Sequence, residues 1–160
     1  MATPEDAALA PPRLEHFAHL QVDVAAPVVL GHGPQGLRRV VPILGGRAQG
    51  QGWTARVLPG GSDFQLFRSE TMSELDARYA LETDAGDMVY VRNRAIRSAP
   101  ADVMAALMRG EPVDPAQIYF RCTPGFETAS QSLAWINERL FLGVGMRRPE
   151  QVLIRAFTVL

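Results

Sequence analysis

Ten side chains, mostly at alternate positions along short segments, carry the groups that could do chemistry. Asp63 and Gln65 are two apart, as are Asp76 and Arg78, Tyr90 and Arg92, and Tyr119 and Arg121. On a strand such spacing places each pair on one face. Trp135 and Asn137 complete the set. An arginine fork can hold a carboxylate through two hydrogen bonds, so Arg121 is the anticipated anion holder, with Arg78 and Arg92 beside it. Asp76 or Asp63 would be the general base and Tyr90 or Tyr119 the proton donor. Gln65 and Asn137 would orient a ligand, and Trp135 would stack on its apolar part. These groups suit a proton-transfer step (isomerisation, cyclisation or dehydration) on a hydrophobic or aromatic compound bearing a carboxylate or carbonyl. Two other readings stand beside it. One is a carrier or sensor that uses the same pocket without chemistry. The other is a packed interaction barrel whose polar face meets water and whose charges form weak cross-strand ion pairs. Alternation alone leaves the inward face open, because a one-residue shift reverses it.

Composition narrows the chemistry. The chain has 160 residues, 47% hydrophobic and 21% charged, enough apolar material for one domain with a core. All sixteen basic residues are arginine, which excludes a Schiff-base lysine and the lysine of a phosphate-binding loop. Against seventeen acidic residues they leave a net charge of −1, so no bulk field attracts nucleic acid or an anionic membrane. A single cysteine, Cys122, rules out an internal disulfide and a multi-thiolate metal site. It reads as a small buried hydrophobe. His16, His19 and His32 are the three histidines. On a regular strand His16 and His19 point to opposite faces, so no metal site is expected, and no cofactor is implied. Gly60-Gly61-Ser62-Asp63 lacks the nucleophile-elbow pattern of a serine hydrolase. No apolar run approaches the roughly 18 residues of a membrane span. The acidic, proline-bearing start is unlike a signal peptide, so a cytoplasmic location is expected.

The elements that must position these residues are short alternating segments punctuated by glycine and proline. Strands are expected at Leu14 to Val24, Arg38 to Leu44, Trp53 to Leu58, Asp63 to Arg68, Glu74 to Thr83, Met88 to Asn93 and Ile118 to Thr123. Two more follow, one ending near Gly145 and one from Val152 to Val159. Gly31 to Gly36 and Pro59-Gly60-Gly61 read as turns, and Asp84 to Asp87 as a hairpin. One helix is expected over about 100–109, with Pro100 at its start and Gly110 at its stop. Ser130 to Asn137 reads as a short turn leading into a strand from about Glu138. Residues 1–12 are expected to form a flexible tail and residues 13–160 one all-β domain, a sandwich or a closed barrel. Were the sheet open, Val152 to Val159 could supply a homodimer edge.

Several blocks together resemble the DUF3237 proteins, also called the UPF0311 family. They are Arg38 to Ile43 with Gly45-Gly46, Leu58 to Gln65, Glu74 to Tyr79, Glu82 to Asp84 and Val89 to Arg94. Tyr119 to Arg121 with Thr123-Pro124, Phe126 to Thr128 and Ala134 to Asn137 continue the series in the same order. Phe64 and Gly125 depart from it, standing where the family favours tryptophan and arginine. The resemblance implies a single antiparallel β-barrel of about eight to ten strands with one short helix. It implies no particular reaction, and the small organic ligand remains an inference from the polar residues themselves.

Overall fold

The computed structural model describes residues 3–160. Ten strands alternate along the chain: β1 (Leu14–Val24), β2 (Val28–Gly33), β3 (Gly36–Gly50), β4 (Trp53–Val57), β5 (Ser62–Phe67), β6 (Met72–Thr83), β7 (Met88–Ser98), β8 (Tyr119–Thr128), β9 (Phe141–Arg147) and β10 (Gln151–Val159). All pair antiparallel, and β1 closes the sheet by pairing with both β10 and β3. The barrel has eight strand positions, two of them shared. The first half of β3 lies between β2 and β5, and its second half between β1 and β4. β10 is paired on both sides, with β1 and β9, and therefore offers no bare edge for a second chain. Unpaired edge remains along β2, whose Val28, Val29 and Leu30 are exposed, and where β8 and β9 part on either side of their two paired positions.

Alternation sets the interior. On β7, Val89, Val91, Asn93, Ala95 and Arg97 are buried, while Tyr90, Arg92, Arg94 and Ile96 between them face outward. The same parity buries Val41 and Ile43 on β3 and Leu75, Tyr79 and Leu81 on β6. Between β8 and β9 the wall must thin to admit Phe120 and Cys122. A Cβ at Gly143 would lie 2.5 Å from Cys122 Sγ, and one at Gly145 would come as close as about 2.4 Å to the Phe120 ring. Glycine is the residue that leaves room there.

One end of the barrel is aromatic. Phe17, Phe126 and Phe141 meet with ring centroids 4.7–5.0 Å apart, and Trp135 stands edge-on to Phe17 at 5.6 Å. At the other end, four residues beyond Arg97, begins helix α2 (Ala101–Met108), which buries Val103 and Met104. A further helical turn, α1 (Pro4–Ala8), precedes the barrel. The side chain of Thr3 caps it in a reciprocal exchange with Asp6, and it buries no residue. Within the segment 1–12, expected as a flexible tail, Pro4–Ala8 forms this one capped turn.

Two local expectations are corrected. Gly31 to Gly36 is not a turn throughout: its first half is the end of β2, and the turn is confined to Pro34-Gln35. A bulge in β1 between His16 and Ala18 reverses the alternation, so the His16 and His19 rings lie together with centroids 4.7 Å apart. Desolvation first, then the neighbouring charges of His19 and Arg155, lowers the His16 pKa. The turn after Ser130 is a 3-10 segment at Ala134–Glu138 that leads into β9, close to expectation.

Candidate functional site

The sequence-derived set divides between two surfaces. Asp63 and Gln65 project inward from β5. Asp76, Arg78 and Arg92 lie on the outer face, where Asp76 accepts from Arg92 at 3.1 Å and from Arg78 at 3.3 Å. Partial burial would raise the Asp76 carboxyl, but the hydrogen bonds and charges of Arg92 and Arg78 outweigh it and hold the pKa below the usual range. This carboxylate is occupied by its own arginines. Tyr90 and Tyr119 are exposed on the outside, and Arg121 stacks over the Tyr119 ring at 5.1 Å while donating to the Phe120 carbonyl. Trp135 belongs to the aromatic end. Asn137 is a brace: its Oδ1 accepts from the Thr128 amide at 2.9 Å, and its Nδ2 donates to the Thr128 carbonyl at 3.0 Å. The ten residues therefore do not converge on one site, although Asp76, Tyr119 and Arg121 line a common outer groove.

What Asp63 and Gln65 do meet is a set of arginines that sequence reading passed over. Arg39 lies directly across the β3–β5 ladder from Gln65. It donates from Nε at 3.3 Å and from Nη2 at 3.1 Å to Gln65 Oε1. With that oxygen taken, the Gln65 amide nitrogen donates to Asp63 Oδ2 at 2.8 Å. Arg97 enters from β7 and is 3% exposed, its guanidinium 5.8 Å from the Phe120 centroid. Arg147, half-buried at the end of β9, completes the cluster and donates to the Pro149 carbonyl at 3.2 Å. Three positive charges thus share this end of the barrel with the negative charge of Asp63.

Burial and like charge leave their mark on the whole group. Desolvation lowers the Arg97 pKa to about 10; Asp63 opposes the change, while Arg147 and Arg39 reinforce it. Arg39 is lowered by burial and by the charge of Arg147, and Arg147 by burial. Desolvation raises Asp63, and the bond from Gln65 and the charges of Arg97 and Arg147 only partly offset it. Two polar atoms here, Arg97 Nε and Asp63 Oδ1, are shut away from solvent without a hydrogen-bond partner. A buried donor and a buried acceptor are thus left open beside a cationic excess.

Below the cluster lies an internal void of about 40 Å³, walled by Leu75, Ala77, Asn93, Phe120 and Asp63 among others. That is room for a water molecule or two. Whole-ligand pockets run to roughly 300 Å³ and more. Tyr79 and Cys122 line the same interior, and burial pushes both upward, Cys122 to about 11. The thiol is therefore protonated and inert at neutral pH. Two signals for the missed arginines were present in the sequence. Arg39 shares strand parity with Val41 and Ile43, and Arg97 with Val89, Val91 and Ala95, so each lies on the apolar face of its strand.

The fold and its polar end define a closed eight-stranded barrel with an arginine-rich interior. The family described as "Protein of unknown function (DUF3237)" matches residues 12–159, and the chain belongs to it. A UPF0311 protein of Rhodopseudomonas palustris is 47% identical over 125 residues, 78% of this chain and 82% of the relative. A crystal structure from the same species superposes with a TM-score of 0.90 at 38% identity, covering 94% of this chain and 99% of the other. A β-barrel-like protein of Acinetobacter baumannii superposes at 0.82 with 35% identity, covering 94% and 98%. A structure described as an enzyme from Penicillium herquei shares the fold at a TM-score of 0.71 and 15% identity, over 100% of this chain and 99% of that one.

Proposed function

We propose that this barrel binds a small organic anion at its arginine-bearing end and that Asp63 equips the site for proton transfer without a cofactor. The observation that carries the reading is the interior imbalance of charge: Arg39, Arg97 and Arg147 against Asp63, with Arg97 Nε unpartnered. A carboxylate or a carbonyl oxygen gaining negative charge would satisfy that donor and offset the excess. Asp63 supplies the base. Its Oδ2 is held by Gln65 and its Oδ1 is free, and desolvation raises its pKa above the ordinary aspartate value, which makes it a stronger base than an exposed aspartate. The small void means that only the ligand's head enters, while an aromatic or aliphatic body stays at the mouth. Isomerisation, cyclisation or dehydration of a carbonyl-bearing acid fits these groups, and binding without turnover uses the same contacts. The tightly filled interior favours a second reading, a packed scaffold with no ligand.

Calorimetric titration of benzoate, at constant ionic strength, into wild type and Arg97→Met separates the two. A hydrogen bond to a charged group contributes about 1.5–3 kcal/mol, so the variant is expected to bind at least about tenfold more weakly. Without an anion, Arg97→Met should be as stable as wild type or more so, because an apolar chain of similar length replaces a buried charge. Failure of wild type to bind benzoate and other small carboxylates would leave the packed scaffold as the better account.

A further inference from the structure

Asp63, Ala77 and Asn93 stand in one row across three strands. Asp63 on β5 lies opposite Ala77 on β6, and Ala77 lies opposite Asn93 on β7. Neighbouring strands are about 4.8 Å apart, so the outer two residues are separated by about 10 Å at the backbone, with only a methyl group between them. The internal void occupies that gap, and all three residues line it. Asn93 is 7% exposed, and its Oδ1 has no hydrogen-bond partner. Asp63 Oδ1 is likewise shielded and unpartnered. The void therefore carries an unsatisfied acceptor at each side, and its other walls are mainly aliphatic, with Tyr79 among them.

We propose that this gap is a binding site for one O–H group that bridges Asp63 and Asn93. Two sources share that chemistry: a fixed water, or a hydroxyl on the inner end of the anionic ligand. An oxygen with hydrogens to give satisfies the Asp63 carboxylate outright. A water gives its second hydrogen to Asn93 Oδ1, whereas a ligand hydroxyl, with one hydrogen, accepts instead from the Asn93 amide turned the other way. The volume supports a small occupant, since about 10–15 Å³ of accessible space holds a water and this void has about 40 Å³. Leaving two buried acceptors empty would forfeit stability that one oxygen restores. The bridging oxygen places an exchangeable proton on Asp63 directly beneath the arginines, which gives the base a route to the ligand's inner end. The water form stands without the anion site; the ligand-hydroxyl form rests on it.

Crystals of wild type, Asn93→Leu and Ala77→Val provide the test, grown free and soaked with benzoate or with glycolate, whose hydroxyl adjoins its carboxylate. Free wild type should show one oxygen peak at hydrogen-bond distance from both Asp63 and Asn93. Persistence of the peak with glycolate bound identifies water as the source, and its replacement by the glycolate hydroxyl oxygen, which sits beside the carboxylate, identifies the ligand; either supports the proposal. Asn93→Leu removes one anchor, and Ala77→Val fills the void while sparing both polar groups. Each should lose the peak, and Asp63, followed through its carboxyl carbon by NMR, should titrate at higher pH. An empty void in wild type, or a peak unmoved in Asn93→Leu, overturns it. Benzoate affinity is scored separately, so failure of the anion site shows as lost binding with the oxygen still in place.

Discussion

Asp63 and Asp76 are the same residue type on adjacent strands, and their surroundings send them in opposite directions. Asp76 is held ionised by two outward arginines at the surface, where such pairs contribute little to stability. Asp63 is desolvated, and its one side-chain bond, from Gln65, does not make up for the lost water. The consequence for stability has a definite sign. Because the folded pKa lies above the ordinary aspartate value of 3.8, the folded protein keeps this proton at pH values where the unfolded chain has released it. The associated stability is complete below about pH 3.8 and is lost as pH rises through the folded value. Asp63→Asn removes the titration, so wild type should lose stability relative to the variant as pH climbs from about 3 to 8. Melting temperatures of both proteins across that range are the measurement. A difference that moves in favour of wild type with rising pH would contradict the desolvated carboxyl.

Much of the element pattern was legible in the sequence, because glycine and proline clusters mark strand ends and alternation marks strands. The helix at 101–108 follows its proline start and glycine stop, and β1, β6, β7 and β10 fall where the alternating runs lie. Facing was harder. On β7 the outward set holds Arg92 and Arg94 and the inward set holds Asn93 and Arg97, so polarity alone does not separate them. The bulge at His16 was invisible because an extra residue leaves the composition of the run unchanged. Of this cluster only Asp63 and Gln65 belong to the sequence-derived set, as a polar pair at alternate positions. The glycines of β9 carried a signal of another kind. Gly145 leaves room for the Phe120 ring, so Gly145→Ala should cost about 1–3 kcal/mol, the usual penalty for overpacking. In a Phe120→Leu background the same substitution should cost less, because the ring it strikes is gone. Urea unfolding of the four proteins gives the coupling directly, and equal costs in both backgrounds would remove the close contact from the account.

At the scale of the whole barrel, closure is the property that protects the polar end. Each strand that carries a cluster residue into the interior (β3, β5, β7 and β9) is hydrogen-bonded on both flanks along at least part of its length. The guanidinium groups of Arg39 and Arg97 consequently sit against fixed walls, over Phe67 at 5.0 Å and Phe120 at 5.8 Å. β1 is the strand that completes the ring, joined to β10 from Leu14 to Asp23 and to β3 from Ala18 to Val24. β2 continues past it along β3 with one side bare. This asymmetry makes a prediction about opening motions. Amides on the inner stretch of β1 are bonded within a two-sided ladder and exchange only when the ring opens, so they should fall in the slowest class with those of β7. Amides on the bare side of β2 have no strand to open from and should exchange orders of magnitude faster. Hydrogen exchange followed by NMR at micromolar concentration tests both halves. Slow β1 with fast β2 is the signature of a closed monomeric barrel. Protection of β2 equal to that of β1 would mean that its edge is covered in solution, and β1 amides exchanging as fast as those of β2 would mean that the ring is not shut.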